Sequence, residues 1–505
     1  MAVTVWILGD QLLQEHPALS LAEKDVSGNG LRVLMIESQE RAQRHPYHQK
    51  KLVLLFSAMR HYAEKLRNTG FEVDYRISST TSMAIENHIQ SHHPEKIYTM
   101  AASEYRGRVF QENLQEKFKI PVKLLPNTQF LVGRYDPYPD PDPDKRYLQE
   151  NFYREMRQYF NLLIGPDGQP SGGAWNFDKN NRLRLPKDVQ PPVPISFKAD
   201  EITTSVIEEV EQKYIGIGQA TGFDYAVTHE AAQSAADDFF DNRLADFGAY
   251  EDAMSNTHGT LFHSRLSPYL NLGLLEPLKL AQEAEKRFLD GKAPINSAEG
   301  FIRQLVGWRE YIYWQYWRMV PGIDEANFFN ARRELPQMFW HSNTQLNCLQ
   351  KVIWRALNDG YTHHIERLMI LSNFCLLAGI APQEVNAWFL SAYIDAYEWV
   401  MLPNVYGMGL YADGGQISTK PYISSANYIN KMSDHCRNCS FDHKLRSGVT
   451  ACPYNYLYWN FILTHEDTLK TNPRMGRSLL GLRRFDSNQR EQIKEDTGKF
   501  LESLA

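Results

Sequence analysis

At 505 residues the chain is too long for one ordinary hydrophobic core, so two or three domains are expected. Hydrophobic residues at 43% and charged residues at 23% are globular values that exclude a disordered or fibrous chain. The net charge of -6, from 54 basic and 60 acidic residues, excludes an evenly basic polyanion binder and leaves room for a local basic patch. The most apolar stretch, residues 368–381, is far shorter than the ~20 residues needed to cross a bilayer. No basic segment or cleavage pattern opens the chain, so no signal peptide is expected. Five cysteines, three of them clustered late, point to metal chemistry in a reducing compartment. A soluble cytoplasmic protein is the expectation.

The first 130 residues alternate strand and helix. Short apolar runs at 3–8, 31–36, 71–75, 97–100 and 122–125 have the form of strands buried on both faces. Between Lys50 and Arg67, Leu52, Leu55, Phe56, Met59, Ala63 and Leu66 keep helical spacing, and Gly70 stands where a C-terminal cap belongs. The pattern predicts a doubly wound parallel sheet with a ligand site at the carboxyl ends of its strands. Gly9-Asp10-Gln11 and Glu37-Ser38 fall at two such ends. Residues 216–222 have one residue too many before the last glycine and no preceding strand, so they do not fit a dinucleotide fingerprint. Asp10 and Glu37 then read as strand-end caps or as contacts to another small ligand.

Prolines at 137, 139, 141 and 143, and again at 191, 192 and 194, bracket a connector that carries Trp175, Arg182 and Arg184. From about residue 200 the signals are mostly helical. The expected organisation is an α/β domain over 1–130, a connector over 131–200 and a larger all-α domain over 201–505.

Three constellations carry chemistry. Cys436, Cys439 and Cys452 have metal-like spacing, and Cys348 can supply a fourth thiolate. Spacing does not separate zinc from iron–sulfur, and His435 or His443 can replace Cys348 in a Cys3His zinc site. Cys375, in an apolar helix, reads as core. Second, Phe301, Trp308, Tyr311, Tyr313, Trp314, Tyr316 and Trp317 surround Arg309 and Glu310, whose charges need partners. Third, the hydroxyls of Thr260, Ser264 and Ser267 precede a helix, where they can hold a pyrophosphate or merely cap. Residues 421–490 also hold ten basic residues against five acidic ones, either a phosphate-binding patch or a solvated face.

Ser264-Arg-Leu-Ser-Pro-Tyr-Leu270 with Gly273, Gly307-Trp-Arg-Glu-Tyr311, His363-His364 and Asp395 resemble the flavin-binding core of the photolyase/cryptochrome family. Their order and separation match over nearly the whole chain. The four cysteines, with residues 399–408 and 412–415, are similar to its bacterial iron–sulfur branch, which contains prokaryotic (6-4) photolyases and related cryptochromes. The resemblance implies FAD in the helical domain, its phosphates held by Ser264, Leu266, Ser267 and Arg309. Asp395 would meet the ribityl or isoalloxazine edge and Asn404 would lie near the flavin N5. It further implies a 6,7-dimethyl-8-ribityllumazine antenna contacted by Asp10 and Glu37, and a 4Fe-4S cluster on Cys348, Cys436, Cys439 and Cys452.

The activity so implied is light-driven repair of (6-4) photoproducts by electron transfer from reduced FAD. His364 is the expected proton donor, with His363 either its helper or structural. Eukaryotic (6-4) enzymes carry a second histidine four positions after the first; Leu368 stands there, so a single acid must suffice. Trp388 and Trp340 match a photoreduction chain, or pack as core. UV-damaged DNA is the expected partner of a monomer, its phosphates met by Arg182, Arg184 and Lys431. The alternatives are a cryptochrome photoreceptor without repair activity, a cyclobutane dimer photolyase, and an iron–sulfur DNA-binding module with a structural flavin.

Overall fold

The computed structural model describes residues 2–25 and 30–504. Strands β1 (Val3–Ile7), β2 (Leu31–Ser38), β3 (Glu72–Ser78), β4 (Lys96–Met100) and β5 (Val122–Leu125) form one sheet in the order β3-β2-β1-β4-β5. All neighbouring pairs are parallel, with Val3 set between Leu31 of β2 and Lys96 of β4. The expected α/β sheet domain and helix-rich remainder are both present.

Strand alternation sends side chains into two cores. Trp6 and Leu8 join Leu34, Ile85, Ile97 and Leu114 on one face. Val3, Val5 and Ile7 face the other way, into a core that runs without a break into the helical body. Burial on both faces explains the apolar runs of β1, β4 and the middle of β2, whereas β3 and β5, expected to be buried alike, are edge strands and only partly covered. The helix Gln49–Asn68 lies on this second face, burying Leu52, Phe56, Met59, Ala63 and Leu66. Its first turn is capped by the His48 ring, which accepts from the Lys50 N–H at 3.2 Å. Gly70, at φ +97°, turns the chain just past its end.

The connector is less irregular than its prolines suggest. Residues 136–148 lack regular structure, but Gln149–Tyr159 is a helix that buries Phe152, Tyr153 and Met156. Tyr153 donates to Glu299 Oε1 at 3.0 Å and so fastens the connector to the helical domain.

Within that domain three helices widen into π turns, at Arg303–Arg309, Arg367–Ser372 and Pro403–Gly409. Such turns concentrate at functional sites, because they redirect side chains that a regular helix would present elsewhere. Among the described residues no helix is long and apolar enough to cross a membrane.

The helix Ser267–Leu272 docks on the sheet domain, its Leu272 carbonyl accepting from Leu12 N–H at 2.8 Å. Gly273 follows at φ +81°, where a Cβ would lie 3.2 Å from Leu12 N. Gly273→Ala should therefore cost about 1–3 kcal/mol through backbone strain. A urea midpoint equal to that of the wild type would contradict this.

Candidate functional site

A cavity of about 280 Å³ opens in the helical domain where the three wide turns meet. The turns contribute Arg309, Arg367 and Asn404, and the loop before Ser267–Leu272 contributes Ser264. Ser264, Ser267, Arg309, His364, Asp395 and Asn404, far apart in sequence, all line it. Leu266 does not. It is 1% exposed and packs into the core, while its N–H donates to Ser264 Oγ at 3.4 Å.

Asp395 is the polar centre. Its Oδ1 accepts from Arg367 Nη1 at 2.9 Å, and its Oδ2 accepts from Arg367 Nη2 at 3.2 Å and Ser267 Oγ at 2.6 Å. Sequence reading missed Arg367, a single cation beside an apolar run. Arg309 donates to Glu310 Oε1 at 2.6 Å, the carboxylate partner its helix required. Its guanidinium lies over Phe130, 4.2 Å from the ring centre, and its Nε and Nη2 are buried without a partner among the described residues. A buried guanidinium with donors to spare suits an anionic ligand such as a phosphate. Asn404 is already engaged at both ends, accepting from Trp308 Nε1 at 3.1 Å and donating to Val400 O at 2.7 Å.

His364 lines the cavity and is exposed rather than packed in the core, and partial desolvation by the cavity wall together with the Arg367 charge lowers its pKa. A near-neutral value was the natural expectation for a proton donor. In the protein alone the ring is uncharged at pH 7. His363 turns away from the cavity, is 1% exposed and stacks on His263 with centroids 4.5 Å apart. Behind it Arg355 donates to Glu366 Oε1 at 2.5 Å. At the rim, Arg303 pairs with Glu251 at 3.4 Å and with Glu299 at 3.4 Å. Sequence reading passed over this rim, and over Asp252, which burial and Glu251 push up to about 6.

A second cavity of about 120 Å³ lies at the carboxyl ends of β1 and β2, where an open α/β sheet places its ligand site. Asp10 lines it, its pKa pushed up to about 6 by burial, with Arg41 opposing. Glu37 lines it too, but its oxygens accept from Arg60 Nε at 2.8 Å and Nη2 at 2.9 Å, and from the Tyr75 hydroxyl. Arg60 also reaches Glu209 at 2.7 Å, so the Glu37 charge is committed to the domain interface. Elsewhere on the sheet, Asp74, His88 and His92 cluster. There His88 bridges Asp74 at 2.6 Å and Thr4 at 2.7 Å, a closed hydrogen-bond network.

The four cysteines converge from separate segments. Cys348 begins the helix Asn347–Asp359, Cys436 and Cys439 flank a short turn, and Cys452 precedes the helix Pro453–Thr464. Burial raises the Cys348 thiol well above its ordinary value, and repulsion from Cys452, Cys436 and Cys439 adds to it. Burial and neighbouring thiols push Cys436 up to about 11 and Cys452 up to about 12. The four thiols are near enough to interact, although among the described residues their sulfurs do not form a set within 4.8 Å of one another; soft donors of this kind suit a thiolate-bound metal or cluster. His435 is turned toward Asn256, its Nδ1 3.3 Å from Oδ1. Cys375 is fully buried core.

Trp388 is fully buried and donates to Phe339 O at 2.9 Å, whereas Trp340 is 41% exposed. Phe389, whose ring lies 5.4 Å from that of Trp388, lines the cavity, and Trp388 in turn meets Phe339, the residue before Trp340. Arg182 pairs with Asp178 and approaches Asp252 at 4.0 Å. Arg184 donates to Ser433 O at 2.8 Å. Lys431 is exposed near the end of the helix Ala426–Met432.

The fold is that of a parallel α/β sheet domain on a helical body that holds a mostly apolar cavity with charged groups in its wall. A (6-4) photolyase of Agrobacterium fabrum is 40% identical over 511 residues, covering all of both chains. Residues 5–225 match the family described as deoxyribodipyrimidine photo-lyase-related protein. Among solved structures, a class III photolyase of Agrobacterium tumefaciens superposes with a TM-score of 0.58 over 85% of this chain and 86% of that one. A Synechocystis cryptochrome does so with a TM-score of 0.62 over 85% and 88%. Both are 15% identical and so are alike in fold. The chain belongs to the photolyase/cryptochrome family, and that membership implies FAD.

Removing one member of a buried ion pair strands the other. Asp395→Ala should lower stability by roughly 3–5 kcal/mol, with Asp395→Asn milder. Equal urea midpoints for Asp395→Ala and the wild type would show that Arg367 has another partner.

Proposed function

We propose that this protein is a (6-4) DNA photolyase, a carbon–carbon lyase driven by light. One cavity carries the reading: it is lined by His364, Arg309, Ser264 and the Arg367–Asp395 pair, in a chain 40% identical to a protein named for that activity. Arg309 Nε and Nη2 and the Ser264 hydroxyl would hold the FAD phosphates, while the Arg367–Asp395 pair presents a fixed polar edge to the rest of the cofactor. Bound reduced FAD would supply the photoexcited electron that opens the lesion and would recover it afterwards.

The chain's own residues do the remaining work. A lesion inside a duplex is out of reach and must be flipped into the cavity, which is easiest for damaged bases. Flanking phosphates would meet Lys431 first, because Arg182 and Arg184 must loosen their present partners to join it. His364 would deliver a proton from its ring nitrogen to the hydroxyl or amino group that moves during repair, a role worth roughly 10² to 10⁴ in rate. His363, stacked on His263, positions the segment. Asp10, with the second cavity, would take the lumazine antenna, Glu37 contributing through its hold on Arg60. Cys348, Cys436, Cys439 and Cys452 would ligate a 4Fe-4S cluster. Trp388 and Trp340 would carry electrons inward from solvent.

The cryptochrome reading keeps the cavity and dispenses with the proton donor, so His364 separates the two. His364→Ala should retain FAD and lose (6-4) repair. With the imidazolium as donor and its pKa lowered, kcat/KM should rise as the pH falls from 8 to 6. The residual activity of His364→Ala should lack that slope. A flat wild-type profile, or normal repair by the variant, would remove His364 as the acid. Cys439→Ser should lose its iron on purification; a zinc-loaded, iron-free wild type would refute the cluster assignment.

A further inference from the structure

The two cavities share one wall. In the segment from Phe389 to Val400, neighbouring residues open onto opposite sides. Phe389, Asp395 and Trp399 line the large cavity, while Leu390, Ala396 and Glu398 line the small one. The wall is therefore a single layer of chain, and whatever moves its backbone on one side moves side chains on the other.

From the sheet domain one buried cation fastens it. Lys51, in the first turn of the helix Gln49–Asn68, is 7% exposed. Its Nζ donates to Ala396 O at 2.5 Å and to Leu390 O at 3.3 Å. The same ammonium lies 4.2 Å from the ring centre of Tyr47 and 5.3 Å from that of Tyr397. Ala396 directly follows Asp395, whose own carbonyl is held from the other side by Asn271 Nδ2 at 2.9 Å. Burial pushes the Lys51 pKa down to about 8, and the Glu104 and Asp395 carboxylates oppose that shift. At neutral pH the ammonium stays charged and its two carbonyl bonds are charge-assisted.

We infer that Lys51 is a positioning residue for the large cavity: by clamping the 390 and 396 carbonyls it fixes the Asp395 backbone and so the Asp395–Arg367 pair that faces the cofactor. This rests on the reading of that cavity as the FAD site. An apolar side chain of similar length would keep the packing between Tyr47 and Tyr397 but release both carbonyls, and the penalty would appear in the other domain's cavity.

The test follows FAD release from diluted holoprotein by flavin fluorescence, together with the visible spectrum of the bound flavin. Lys51→Met should release FAD about tenfold faster than the wild type, within the usual range for coupled sites, and should change the bound flavin's spectrum. Lys51→Arg should restore both. Gln49→Met is the control. Gln49 ties the same helix to the 214–220 segment, through Tyr214 O at 3.1 Å and Ala220 N at 3.0 Å, without touching the wall. It should lose stability and keep the wild-type release rate. If Lys51→Met does not fold, Lys51→Gln, which keeps a donor without the charge, should lie between wild type and the tenfold limit. Wild-type release by Lys51→Met or Lys51→Gln would overturn the inference and leave the FAD reading standing. A wild-type protein that retains no FAD would overturn both.

Discussion

A charge taken out of water needs a partner, and the interior of the helical domain is arranged around arginines that each have one. Arg367 meets Asp395, Arg309 meets Glu310, Arg355 meets Glu366 and Arg303 meets Glu299. Only Arg367–Asp395 joins turns distant in sequence; Arg309 pairs with the next residue, Arg303 with one a helical turn back and Arg355 with one eleven residues on. The surplus matters most. Arg309, a residue of the cavity wall, keeps two buried donors without a partner among the described residues. Left alone they are a cost, and a phosphate would remove it.

The sheet domain serves that cavity from behind. Because one face of the sheet shares its core with the helices, the two domains are welded rather than hinged. Polar ties repeat the theme across the join: Arg60 spans Glu37 and Glu209, and Lys51 grips the carbonyls of the common wall.

The sheet was legible in the sequence because strands buried on both faces leave apolar runs that few other structures imitate. The helix ending before Gly70 was legible for the same local reason. What escaped was non-local. Arg367 sits at the edge of an apolar run, and nothing nearby announces that Asp395 will face it. Wide turns change the helical period part-way, so the spacing rules that found the first helix fail at 303–309, 367–372 and 403–409. Glu37 was correctly placed at a strand end, yet its partner Arg60 comes from the following helix and takes the oxygens a ligand would use. The helix in the connector was masked by the prolines on either side of it. For the cysteines, spacing named three, and the fold brings Cys348 beside them.

The central claim is that this cavity performs light-driven repair of one lesion class. The direct measurement is repair of two defined oligonucleotides, one with a (6-4) photoproduct and one with a cyclobutane dimer, each incubated with reduced FAD-loaded protein under blue light and in darkness. The account predicts recovery of the (6-4) substrate alone, and only in the light. Recovery of neither substrate by protein with its FAD and iron in place would contradict it and leave a photoreceptor built on the same cavity.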